Sequence, residues 1–493
     1  MMRFQTRDDI KDKQCVVNLL GSDLTTASFA LYTTAAAVIV QALTLICVSS
    51  FADYGMLSLA LEAPSLNMIG PYRKKMLLMF AYLGSIASAL FIFITPNIYF
   101  LAPFLTVICI TSMGCSFTLL NAFLPLLVSN FQDDSIRSES SDFELEALNQ
   151  ESTVVQRFDP DKLTRDLKRS AKLSSTGIGL GYIAGVFAEL LAILILIIFD
   201  KYKIAANSPS LPIRMIILFI GAWWATFSVP TALHLRPRPG PPLPDQSHRV
   251  GERKSSLLFY TAFSLKAFWK TLKRALSLRQ VTIFLLAWFL LSDAIATIGG
   301  TAVLFARTEL HMGTIAIAFL SITSTSSGIA GAFTWPRIAA RFSLSSKSVL
   351  LCCVALLEVV PVYGLIGYLP FVQRAQVGGL QQPWEIYPLG IVHGFAMGGI
   401  WSYARSLFGS LVPEGREAAF FALFAVTDKG SSAFGPSLVG WIVNRAGTIR
   451  PAFWFLSVLV LLPTPLMWWL DIEKGREDAA RMARMDKKVD DED

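Results

Sequence analysis

The chain has 493 residues, of which 53% are apolar and only 16% charged, and its mean hydropathy is +0.52. A soluble domain has nowhere to put that much apolar surface, so a water-soluble enzyme or binding module is excluded and a polytopic membrane protein is expected. The net charge of +7 is not by itself a nucleic-acid signature, because the Lys and Arg residues concentrate in particular loops between apolar stretches.

Residues 1–24 form a polar N-terminal segment; its start, MMRFQTRDDIKDKQ, is charged and no cleavable apolar core follows, so no signal peptide is read. Beyond it, eleven candidate spans are read at roughly 25–51, 76–96, 100–129, 174–199, 212–234, 281–305, 313–335, 348–370, 386–409, 418–444 and 452–470. Each is expected to be a helix, since lipid offers no partner to free backbone groups and no alternating barrel pattern is present. The fold class is therefore an all-α polytopic membrane protein. With the N-terminus on the non-cytoplasmic side, about 30 of the 43 Lys and Arg residues fall in cytoplasmic loops and about 10 on the other side, the usual bias.

The first span holds Gln41 and is followed by SSFADYG and, after an insertion, by GPYRKKMLLMF. An Asp-x-Gly at one helix end and a basic cluster at the start of the next resembles the cytoplasmic signature between helices two and three of the major facilitator superfamily. Asp53 and Gly55 match its acidic and glycine positions, and Arg73, Lys74 and Lys75 its basic end; the insertion departs from the usual short spacing. Such residues form either a conformational latch, whose ion pairs hold one state and break in another, or simply a positive-inside loop. If the first visible span is that family's second, a twelve-span fold has lost its first helix from this sequence; a natural eleven-helix protein is the alternative.

Further along, Asn121 opens NAFLPLLV and, like Gln41, either lines a cavity or bridges helices. Residues 130–173 run from acidic to basic and form a cytoplasmic loop, a passive linker or a serine-bearing regulatory segment. GIGLGYIAG at 177–185 resembles a dinucleotide fingerprint only superficially; no strand precedes it, and close helix packing is the better reading. Glu189, and later Glu358, are lone carboxylates inside spans, either coupling a proton or paired near an interface.

The central stretch 235–280 begins RPRPGPPLPDQ, too proline-rich for a helix, and ends SLKAFWKTLKRALSLRQ, a basic amphipathic pattern suited to an anionic inner leaflet. It separates an N-terminal bundle, 25–234, from a C-terminal bundle, 281–470, which residues 471–493 follow as a cytoplasmic tail. Asp293 lies in FLLSDAIATIGG, beside Gly299 and Gly300, where it meets either a ligand or a structural hydrogen-bond donor. The second-half counterpart of the latch keeps Arg337, Arg341 and Lys347 but no Asp. His393 is read as a packed core residue, and Arg405 either snorkels or gates.

The sharpest feature is AVTDKGSSAFGP at 425–436. In a continuous 418–444 helix, Asp428 would sit about 15 Å from the start, near mid-bilayer, where a charge costs about 2.5–3.5 kcal/mol. Neighbouring residues point about 100° apart, so either Asp428 and Lys429 reach different partners or the helix is broken at Gly430, Gly435 or Pro436. A broken helix near the midplane suits a zwitterionic substrate; a purely structural buried ion pair is the alternative.

The block GGIWSYARSLFGSLVPEGREAAFFALFAVTDKGSSAFGPSLVG, with Ser402, Tyr403, Arg405, Glu414, Arg416, Glu417, Asp428 and Lys429, closely resembles the fungal autophagy-related protein 22 family of vacuolar amino-acid effluxers. TTASFALYTTAAAVIVQAL, NAFLPLLV, GIGLGYIAG and FLLSDAIATIGGTAVLFA agree with it. The resemblance implies a major facilitator-type carrier in the vacuole membrane that exports amino acids, leucine, isoleucine and tyrosine among them, to the cytosol. Under that reading Asp293, Asp428, Lys429, Arg405, Tyr403 and Asn121 are substrate or gating candidates. No P-loop, nucleophile constellation or metal-ligand spacing appears, and Cys15, Cys47, Cys109, Cys115, Cys352 and Cys353 show no zinc pattern, so no cofactor, metal, nucleic acid or enzymatic activity is expected. Rival readings are a facilitator of another small solute and a non-transporting scaffold or lipid-handling protein.

Overall fold

The computed structural model describes residues 16–19, 22–52, 72–95, 98–128, 160–203, 210–235, 257–431 and 434–492. They are almost entirely helical. The one exception is a hairpin, β1 (Val16–Leu19) with β2 (Ser22–Thr25), antiparallel with Val16 opposite Thr25 and Leu19 opposite Ser22. The sequence reading treated this stretch only as a polar segment. Asp53 and Gly55 lie outside the described residues.

The helices are α1 (Thr26–Ala52), α2 (Tyr72–Leu90), α3 (Leu101–Asn121), α4 (Pro160–Lys201), α5 (Leu211–His234), α6 (Leu257–Ser277), α7 (Arg279–Thr308), α8 (Thr314–Arg341) and α9 (Ser346–Ile366). After the short α10 (Pro370–Ala375) come α11 (Ile386–Ser410), α12 (Glu417–Ser431), α13 (Phe434–Ala446), α14 (Ala452–Leu461), α15 (Pro463–Trp469) and α16 (Ile472–Glu492). Eight helical stretches among the described residues are long and apolar enough to cross a bilayer. The expected eleven spans are thus not all matched. The described apolar part of α1 is short, Ala36–Ser49; α11 is diluted by its glycines, Ser402, Ser406 and Arg405; and the described residues of 418–444 fall in α12 and α13, with residues 432–433 between them outside the described residues.

The residues group into two compact units, 1–120 with 190–270 and 121–189 with 271–493. In the first, α2 and α5 approach through small residues: Gly84 faces the Trp224 ring, and Gly221 faces the Ser85 carbonyl and Ser88. Arg214 of α5 donates from Nη1 to the carbonyls of Ile92 (3.2 Å) and Ile94 (2.6 Å), satisfying groups left free where the 3₁₀ turn Phe91–Phe93 ends. Arg73, Lys74 and Lys75 occupy the first turn of α2.

The second unit is organised around the crossing of α8 and α11. Gly390, Gly394 and Gly398 recur every four residues, so they fall on one face of α11. That face meets Leu320, the Ser324 carbonyl and the Gly328 carbonyl of α8, and Gly331 of α8 meets the Phe395 carbonyl in return. Hydrogen bonds pin the crossing: Ser327 Oγ donates to the Ile391 carbonyl at 2.6 Å and Trp335 Nε1 to that of Phe395 at 3.1 Å. α11 also packs on α9 through Gly399, which touches Cys353 and Trp335.

The chain after the last span is not a loose tail. Asp471 caps α16 by accepting the Lys474 backbone N–H at 3.2 Å, which holds its carboxyl below the usual range, while its own N–H donates to Gln280 Oε1 at 3.0 Å. Gly475, Ala479 and Ala483 form the buried stripe of α16, and Arg476 pairs with Asp166 of α4 at 3.2 Å.

The α8–α11 contact sets a clear expectation for paired glycine substitutions. Gly394→Ala drives a methyl into the Ser324 carbonyl and should destabilise the protein by roughly 1–3 kcal/mol. Gly177→Ala, in a helix with nothing within 4 Å, should be neutral or stabilising by up to about 1 kcal/mol. Thermal denaturation of the two purified variants beside wild type measures the difference; equal melting temperatures would mean the helices are not in backbone contact.

Candidate functional site

The site is assembled within the second unit where α7 passes Asp428 of α12 and Gly435 of α13. Two adjacent residues of α7 make the contacts. Ser292 Oγ lies 2.6 Å from Asp428 Oδ1 and 3.0 Å from the Asp428 carbonyl, near the end of α12, while Asp293 Oδ1 accepts the Gly435 N–H at 3.0 Å, at the start of α13. A carboxylate at a helix N-terminus satisfies an otherwise free N–H and sits favourably in the helix dipole. Glycine is required at 435 because a side chain there would overlap Thr297 Oγ1 and crowd Asp293.

Asp428 and Lys429, expected either to reach different partners or to flank a break in the helix, reach each other: Nζ lies 3.2 Å from Oδ2, with the Lys429 side chain 50% exposed and that of Asp428 only 12%. Beside this arrangement lies an open groove of about 700 Å³, lined by Asp293, Phe434, Leu438, Trp441, Phe455 and Leu459 among others. Its walls are apolar, with Asp293 and Ser437 the polar exceptions.

One turn along the same helices the packing is aromatic. Trp288 of α7 stacks on Phe424 of α12 (centroids 4.7 Å apart) and meets Trp401 of α11 edge-on (5.5 Å), and Phe408 stacks on Phe284 and Phe424.

A second polar cluster surrounds Arg405 of α11, which is buried rather than reaching outward. Its Nη1 donates to Asn121 Oδ1 at 2.7 Å, Nη2 to Ser174 Oγ at 3.3 Å, and Nε to the Trp401 carbonyl at 3.1 Å. α4 approaches here through GIGLGYIAG: Gly179 faces Phe333, Tyr182 packs on Gly328 and Gly185 touches Thr325, whereas Gly177 and Gly181 face open space. On the same helix Glu189 accepts from Ser321 (3.1 Å) and more weakly from Thr325 (3.5 Å), leaving Oε2 buried without a hydrogen bond. Glu358 of α9 accepts from Ser457 of α14, and its Oε2 is likewise buried and unbonded. His393 Nδ1 lies 3.2 Å from Ser324 Oγ. Tyr403 is buried in α11, and Gln41, in the other unit, is buried against Gly114.

Sequence reasoning did not single out Ser292, Ser174 or Glu385. Glu385 is buried and accepts N–H bonds from Gly378 (2.9 Å), Leu380 (2.8 Å), Gln381 (3.3 Å) and Gln382 (3.2 Å) and the Tyr363 hydroxyl (3.2 Å). Arg450 clasps the same loop through the carbonyls of Gly379 and Leu380. The signal was present in GGLQQPWEIY, a glycine turn followed by an acid at the start of a helix.

Removing the acceptor of a buried guanidinium is expensive, so Asn121→Leu should lower stability by about 1–3 kcal/mol, and Ser174→Ala, at the longer contact, by less. Thermal melting of purified full-length variants checks the order; no loss in Asn121→Leu would mean that bond is not made.

Residues 5–480 match the family described as "Vacuole effluxer Atg22 like". "Autophagy-related protein 22-1" of Phaeosphaeria nodorum is 58% identical over 491 residues, covering 98% of this chain and 82% of the relative. The Sclerotinia sclerotiorum protein of the same name is 50% identical, covering 97% and 80%, and "Autophagy-related protein 22-2" of Emericella nidulans 44%, covering 96% and 82%. Among solved structures, the human organic anion transporter MFSD10 (TETRAN) aligns with TM-score 0.53 at 14% identity over 89% of this chain and 83% of that one. An outward-facing bacterial homologue of the iron transporter ferroportin aligns with TM-score 0.51 at 12% identity over 90% of each. These likenesses give the fold, a major facilitator-type helical architecture. The chain belongs to the Atg22-like vacuole effluxer family and is a multi-pass transporter of the vacuole membrane.

Proposed function

We propose that the cargo is an amino acid, with leucine, isoleucine and tyrosine as the preferred class, and that alternating access carries it from the vacuole to the cytosol. The observation that supports this most is that adjacent residues of α7 bond Asp428, which pairs with Lys429, and Gly435, while Asp293 lines an apolar groove. An amino acid presents the complementary set. Its ammonium suits Asp428 and Asp293, its carboxylate suits Lys429, and its side chain suits the wall formed by Phe434, Leu438 and Trp441. Arg405, Asn121 and Tyr403 act in gating, and Asp53 and Gly55 with Arg73, Lys74 and Lys75 form the latch that biases one access state. Glu189 and Glu358, each with one buried unbonded oxygen, are the proton-coupling groups.

Release of labelled leucine, isoleucine and tyrosine from isolated vacuoles tests the cargo. Deletion of the gene should abolish the component that wild-type DNA restores, and Asp428→Asn, expressed to the same level, should restore less than a tenth of it. Unchanged release on deletion would overturn the amino-acid reading and turn attention to another solute or to a non-transporting role.

Proton coupling makes a separate expectation. Glu189→Gln or Glu358→Gln should lose net efflux driven by a pH gradient while retaining exchange of labelled for unlabelled amino acid, because exchange needs no net proton movement. Loss of both activities together would remove that residue from the coupling role.

A further inference from the structure

Among the described residues, the helix α6 presents a buried face and two exposed ones. Ser264, Thr271 and Ala275 are buried. Leu265, Trp269 and Leu276, which at 100° per residue share an arc of about 40°, are 52%, 58% and 59% exposed. Next to that arc, within a further sector of about 60°, lie the exposed Lys266, Lys270 and Lys273. Large apolar side chains aligned in this way are costly in water, and the segregated lysine row beside them marks one kind of environment.

The position of the helix identifies that environment. A single residue, Leu278, separates α6 from α7; its extended backbone (φ −87°, ψ 97°) breaks the helix, so α6 leaves the axis of α7. The 30 residues of α7 extend about 45 Å, more than the roughly 30 Å hydrocarbon core, and the helix opens on the exposed Arg279, which suits its first turn to headgroup level. We propose that α6 is a binding surface for anionic phospholipids of the membrane that α7 crosses. Leu265, Trp269 and Leu276 enter the acyl boundary, where tryptophan is favoured, and Lys266, Lys270 and Lys273 meet the lipid phosphates and carboxylates. The surface is independent of the transported solute.

Native mass spectrometry of the full-length protein, released from nanodiscs of phosphatidylcholine with 30% phosphatidylserine, tests this directly. Wild type should retain phosphatidylserine in preference to phosphatidylcholine. Lys266→Gln/Lys270→Gln/Lys273→Gln should reduce that preference at least tenfold, whereas the matching Lys→Arg triple variant, which keeps the charges, should hold it. An unchanged preference in the glutamine variant, or equal loss in the arginine variant, would overturn the proposal. So would a Trp269→Ala variant that shifts the mass from dimer to monomer with the lipid preference intact, because a second copy of the chain would then be what covers the face.

Discussion

Three glycines spaced four residues apart fix the geometry on which the candidate site depends. With Gly390 against the Leu320 side chain and Gly394 and Gly398 against the Ser324 and Gly328 carbonyls, the two helix backbones come into close contact, and neighbouring carbonyls of α11 become acceptors for Ser327 and Trp335. In a membrane, where no hydrophobic effect drives one helix onto another, such close contact is the main source of association. Because α11 is held in this way, the rotation of its other faces is set as well. Gly399 turns toward α9, and Arg405 toward Asn121 and Ser174.

The same low-dielectric surroundings explain how the polar groups are paired. A polar group there is stable only where its hydrogen-bonding capacity is met, and the chain meets it at the ends of helices, where backbone groups are free. Asp293 bonds an N–H at the start of α13, Lys347 bonds the carbonyls of Trp468 and Leu470 at the end of α15, and Glu385 gathers four backbone N–H groups ahead of α11. Lys347 therefore has a structural role that a charge-bias reading of its loop does not reveal.

Much of the architecture was legible because hydropathy reports burial in lipid directly. The spans at 76–96, 100–129, 174–199, 212–234, 281–305, 313–335, 348–370 and 452–470 all coincide with apolar helices. The Asp428–Lys429 segment stood out in the sequence as charge inside an apolar run, but its partners did not. Ser292 and Asp293 lie 136 and 142 positions from the groups they bond, and no local pattern specifies such pairings. The glycine spacing of α11 could have been read as a packing face. The docking of α16 could not, since an amphipathic pattern marks the face of Gly475, Ala479 and Ala483 as buried but does not say which elements cover it.

A single helix connects these features. Near its start, Gln280 of α7 accepts the Asp471 N–H that leads into α16; in its middle, Ser292 and Asp293 bond Asp428 of α12 and Gly435 of α13; just past its end, Glu309 accepts the Ile449 N–H of the loop that carries Arg450. One helix of 30 residues therefore links the groups that bond Asp428 and Gly435 to α16 at one end and to the loop carrying Arg450 at the other. Under the proposed transport reading, a ligand acting on Asp293 or Asp428 would bear on adjacent residues of this helix, whose two ends are both tied to other elements.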